Sequence, residues 1–146
     1  MRTMLIAAFT GALTIGVAAQ QPSVSGTWTV KGEAASGQND SGGTWNRSAV
    51  TGTLVIAEKG GALTGTWTPT KRPPLKFTGQ LKGDAFELEA EPRDVAAEIN
   101  GVASTLRMRW TFVGALKDGQ LQGTMSLDKV DDPPAQPQPF TAQRAK

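Results

Sequence analysis

Of the chain's 146 residues, none is cysteine, histidine or tyrosine. Without cysteine, no disulfide supports the fold and no thiolate acts as a nucleophile. Without histidine there is no imidazole base, no Ser-His-Asp arrangement and no His or Cys metal site. The side chains left for chemistry are carboxylates, Lys, Ser and Thr. Glu58 with Asp94 or Glu98 would be the carboxylates of such an enzyme, but no spacing brings two of them together. The chain is therefore expected to be no enzyme, with no metal and no cofactor.

An excess of one charge is also missing. Fifteen Lys and Arg face 13 Asp and Glu, and the basic residues form no cluster, which argues against a nucleic-acid partner. Long apolar runs are absent except at the start, where Met1-Arg2-Thr3 precedes an uncharged stretch over 4–17 and the small residues Val17-Ala18-Ala19. That pattern predicts a signal peptide over 1–19 and a single domain over 20–146, periplasmic or secreted and with no membrane contact after cleavage. The stretch falls short of the ~20 residues that a spanning helix needs.

What is present in quantity is glycine, 17 residues, arranged in a recurring module. It reads Gly26-Thr27-Trp28, Gly43-Thr44-Trp45, Gly52-Thr53-Leu54, Gly65-Thr66-Trp67, Gly79-Gln80-Leu81 and Gly123-Thr124-Met125. Residues i and i+2 of a strand share a face. Each Gly therefore sits beside a bulky partner on one side of the sheet, where the strand can bend as a closed barrel requires.

Alternation of apolar and polar residues predicts eight strands, over 23–33, 50–58, 63–68, 75–82, 85–91, 105–116, 121–128 and 140–144. Tight two-residue turns are expected at Gly60-Gly61, Gly83-Asp84 and Asp118-Gly119. Each turn sets a register: Leu54 against Trp67, Leu81 against Phe86, and Phe112 against Met125. All three registers place apolar residues opposite apolar residues, and a one-residue slip would reverse every face. Four segments are expected to lie outside strands: a polar loop over 37–47, Pro-rich connectors over 69–74 and 131–139, and a longer connection over 92–104. Within the last, Ala96-Ala97-Glu98-Ile99 suggests a helical turn stopped by Asn100-Gly101.

One face of these strands is apolar and the other carries residues such as Lys31, Lys76, Glu87, Glu89, Arg107 and Asp128. A transmembrane barrel needs the reverse. The expected fold is thus all-β: an eight-stranded antiparallel up-and-down barrel, water-soluble, apolar within. Eight strands enclose either a filled core or a cavity for one small ligand. In the first case the aromatics and Leu fill the taper. In the second, Trp67, Phe77, Phe86, Met108, Trp110 and Phe112 line an apolar pocket.

These features resemble the calycin superfamily of lipocalins, avidins and small secreted bacterial relatives. Gly26-Thr27-Trp28 looks like the lipocalin Gly-x-Trp signature. The resemblance implies that an Arg near the last strand packs over that Trp and closes one barrel end; Arg144 stands at that place. Gly61-Ala62-Leu63-Thr64-Gly65-Thr66-Trp67 is similar to part of the avidin pattern, but this chain has Val30, Ala34 and Pro69 where biotin-binding polar side chains would follow. The function expected is an exported lipocalin-like binding protein for a small apolar molecule in the barrel interior. The alternative is a filled barrel that binds or inhibits another exported protein through its loops, with Trp45, Asn46 and Arg47 as the anchor.

Overall fold

The computed structural model describes residues 23–38, 44–132 and 135–146. The leader expected over 1–19 lies outside the described residues. Nine strands form one antiparallel sheet: β1 (Gly26–Gln38), β2 (Thr44–Lys59), β3 (Ala62–Pro69), β4 (Leu75–Lys82), β5 (Ala85–Ala90), β6 (Arg93–Ile99), β7 (Val102–Lys117), β8 (Gln120–Lys129) and β9 (Gln138–Arg144). Pairing runs from β5 through β4, β3, β2, β1, β9 and β8 to β7, and β7 pairs back onto β5. Eight strands therefore close a ring, and β6 is an addition to it.

The three turn-set registers are those observed. Leu54 pairs with Trp67, Leu81 with Phe86, and Phe112 with Met125. The turn residues Gly60, Gly61, Gly83, Asp118 and Gly119 all take positive φ, the conformation that two-residue hairpins demand. Period-2 burial is cleanest on β5, where Phe86, Leu88 and Ala90 are buried and the residues between them exposed.

The glycine module works through space as much as through curvature. A Cβ on Gly52 would collide with the Trp67 ring, one on Gly65 with Phe77, and one on Gly79 with Leu88. Gly32 is covered in the same way by Met125 and Phe140. The gaps that glycine opens in the wall are thus occupied by large side chains from other strands. Trp67 meets Phe112 edge to face at 5.1 Å, Phe112 meets Phe140 at 5.4 Å, and Phe140 meets Phe86 at 6.4 Å. Such pairs contribute ~0.5–1.5 kcal/mol beyond their burial. The middle of the barrel is packed.

One end, which holds the β2–β3, β4–β5 and β7–β8 turns, is sealed by Trp28. Its Nε1 donates to the Val24 carbonyl at 2.8 Å, and the Arg144 guanidinium lies over its ring, 4.4 Å from the centroid. Arg144 also donates to the Ser25 carbonyl at 2.9 Å and to the Ser23 carbonyl. The chain entering β1 and the chain leaving β9 are thereby tied together across the barrel base.

Two expectations about connections are corrected. The segment 37–47 is not a loop throughout: β1 and β2 stay paired to Gln38 opposite Thr44, with only 39–43 between the strands and outside the described residues. Pairing of β1 with β9 ends at Gly32, and pairing of β2 with β3 ends at Gly52. Beyond those points the two strands continue as one ladder, an arm past the barrel rim that the connector touches at Thr51 through Thr70. Apolar alternation announces a strand only where one face alone meets a core; here the consecutive Ala34 and Ala35 are both buried, and the residues after them are mostly polar.

The segment 92–104 likewise contains β6, and Ala96–Ile99 is extended instead of helical. β6 pairs with the first part of β7, from Arg93 opposite Met108 to Ile99 opposite Val102. Asn100 and Gly101, both with positive φ, form the turn, and Asn-Gly is the strongest short hairpin signal. Alanine's helix preference was overridden by that turn and by the ladder to β7. This second arm extends past the same rim. Counted around the ring, it stands half-way from the β1–β2 arm.

Candidate functional site

The open end is built from the two arms, the Pro-rich β3–β4 connector and the first residues of β7. Between them lies a hollow of about 470 Å³, within the ~300–1,000 Å³ range of small-molecule sites. Its floor is Met108 and Trp110 of β7 with Leu127 of β8. Leu75, Val95 and Leu106 form one wall; Ala34 and Val50 of the first arm form the other. Trp110 and Leu127 are direct register partners, so the floor follows from the Asp118-Gly119 hairpin some distance below.

The polar groups of the hollow sit at its rim. Ser48, Thr51 and Thr70 bring hydroxyls, and Arg72 and Arg93 bring charge. Thr51 Oγ1 and Thr70 Oγ1 share a hydrogen bond of 2.7 Å, and the Thr70 amide donates to the Thr51 carbonyl at 2.9 Å. Arg93 donates from Nη1 to the Pro73 carbonyl and from Nη2 to the Pro74 carbonyl, each at 3.3 Å. The prolines cannot continue a ladder, so their connector is tied to β6 through this side chain.

The six residues expected to line an internal pocket divide into two groups. Met108 and Trp110 line the hollow and are partly buried. Trp67, Phe77, Phe86 and Phe112 are buried and lie in the packed core beneath. Trp67 Nε1 is buried with no hydrogen-bond partner among the described residues. The anchor residues Trp45, Asn46 and Arg47 lie on β2, with Asn46 opposite Ser36 and Arg47 opposite Ala35; their side chains lie outside the described residues.

The carboxylates considered for catalysis do not converge. Glu58 is on β2 near the turn end, whereas Asp94 and Glu98 are exposed on β6 in the other arm. Asp94 pairs with Arg107 at 3.3 Å on the outer face. Among the described residues, no three Asp or Glu side chains stand close enough to hold a metal ion.

Sequence reasoning missed Arg72, Arg93, Val95 and Ala34 as parts of one site. Arg72 and Arg93 lie in a connector and in an unforeseen strand, so no spacing rule links them. Asn100-Gly101 was the signal that could have revealed β6 and, through its register, placed Arg93 beside Met108.

No protein-family model and no curated protein matches this chain. The closed eight-stranded antiparallel barrel is consistent with a calycin-like fold.

Proposed function

We propose that this protein is an exported, calycin-like binding protein that takes a small apolar molecule at the mouth of its barrel. The observation that carries the reading is the hollow floored by Met108 and Trp110 at the end of the barrel opposite Trp28. Ligand sites are concave and mostly apolar, with a few polar groups at fixed places. Leu75, Leu106 and Leu127 supply the apolar part, and the rim hydroxyls and guanidinium groups the polar part. The packed barrel centre supports a position above the aromatic core instead of within it.

Tryptophan fluorescence titrated with medium-chain aliphatic and small aromatic compounds tests the reading. Binding predicts a saturable change that is largely lost in Trp110→Leu. Linear, unsaturable responses to every such compound would overturn it.

A second reading is favoured by the tip of the β6–β7 arm. Ile99 and Val102 are cross-strand partners there, and they are 45% and 63% exposed. In that reading the arm engages another exported protein, and Val102→Ser abolishes the contact while leaving ligand titrations unchanged.

A further inference from the structure

We infer that the molecule held in the mouth is an anionic amphiphile, its charged head on Arg72 and Arg93 and its aliphatic tail on Trp110. This inference rests on the apolar-binding reading above and names the chemistry of its ligand.

The hollow is one-sided in charge. Arg72 and Arg93 both line it, and among the described residues no Asp or Glu does. The ion pairs among the described residues lie elsewhere: Arg107 with Asp94, Arg109 with Glu89, and Lys129 with Asp132. Two guanidinium groups thus share one rim with no carboxylate of the described residues between them. Like charges brought together over an apolar floor repel one another, and an anion at the rim reverses the sign of that term.

The geometry is also directional. Arg93 stands opposite Met108 in the β6–β7 register, on the face that continues the barrel interior. Its two bonds to the Pro73 and Pro74 carbonyls hold the guanidinium in place and leave further N–H groups on both terminal nitrogens. Arg72 follows Lys71, whose positive φ turns the connector back toward the rim, and its own amide is fixed by the Pro69 carbonyl at 3.0 Å. A guanidinium offers a planar fork matched to carboxylate and similar oxyanions. Most of the remaining described lining is apolar, Leu106, Met108 and Trp110 included. A head that is charged and a tail that is not meet both halves of the site.

Three probes of one chain length, decanoate, decanol and decylammonium, test the inference by tryptophan fluorescence or calorimetry at low salt. Decanoate is expected to bind at least about tenfold more tightly than decanol, as one charge-assisted hydrogen bond allows, with decylammonium weakest. The decanoate-to-decanol ratio should fall toward one in Arg72→Gln/Arg93→Gln and decline with added salt. Arg72→Gln alone, which leaves the Arg93 bonds to the connector intact, should lower the ratio part-way. Lys82→Gln, at the opposite end of the barrel, should preserve it. Equal affinity for decanoate and decanol, or a ratio that survives the double substitution, overturns the inference while leaving apolar binding intact. Failure of all three probes to bind overturns the apolar reading and this inference with it.

Discussion

Trp110 meets Trp67 edge to face, with ring centroids 5.7 Å apart, and this contact divides the packed barrel from its open mouth. Trp67 is wholly buried and belongs to the core. Trp110 is partly exposed and floors the hollow. Below Trp110 a barrel with many inward glycines is still filled, because large side chains such as Phe77 over Gly65 and Leu88 over Gly79 cover them.

Trp28 and Trp67, both fully buried, should respond differently to loss of the indole nitrogen. Trp28 Nε1 donates to the carbonyl of buried Val24, so Trp28→Phe strands a buried acceptor. Trp67 Nε1 has no such partner among the described residues, and Trp67→Phe removes a donor unpaired among them. Trp28→Phe is therefore expected to cost about 1–2 kcal/mol more than Trp67→Phe, read from urea unfolding. Equal costs would refute the assignment.

Arg144 should matter although it is exposed. Arg144→Ala loses the contact with Trp28 and two carbonyl bonds, for an expected cost of about 1–2 kcal/mol. Arg144→Lys should recover less than half, because an ammonium cannot stack flat on indole while reaching two carbonyls. Denaturation midpoints of the two variants provide the measurement.

Glycines in the wall and glycines in turns should fail for separate reasons. Gly114 and Gly123 face each other in the β7–β8 register, and a Cβ on Gly123 would overlap the Val113 carbonyl and the Gly114 backbone. Gly123→Ala is expected to cost about 1–3 kcal/mol through forced strand separation. Gly101 has open space around it but a φ of 78°, so Gly101→Ala should cost only about 1 kcal/mol of backbone strain. Gly101→Asn, which tolerates that conformation, should restore most of this loss, whereas Gly123→Asn should be worse than Gly123→Ala.

Amide exchange should map the arms. Residues of β6 and of β7 before Met108 pair only with each other along one ladder, apart from the Val130 amide on the Arg107 carbonyl. Amides at Phe112 and Leu121 lie between two partners and over the core. Exchange at Ala97, Ser104 and Val102 should be faster by orders of magnitude, since locally paired segments open without global unfolding. Uniform protection along β7 would contradict the arm description.

The barrel itself was legible in residue order. Turn glycines next to alternating runs determine register, and register places Leu54 against Trp67 and Phe112 against Met125 with no knowledge of the rest. The Trp28–Arg144 pairing was legible only through resemblance, since 115 residues separate the two and no local rule joins them. Past the rim the signal faded. Strands over 34–38 and 44–49 pair with each other beyond the closed ring without apolar alternation, and Ala96-Ala97 favours helix until the Asn100-Gly101 turn and the β7 ladder are considered together.

Local sequence thus determined the strands, the hairpin registers and the apolar interior, because each follows from period-two alternation and from backbone angles that few residues can adopt. Only the tertiary structure decided where empty space remains. Whether a glycine's gap stays open depends on which distant ring swings over it, and whether Arg72 and Arg93 share a rim depends on two connections closing at the same end of the barrel.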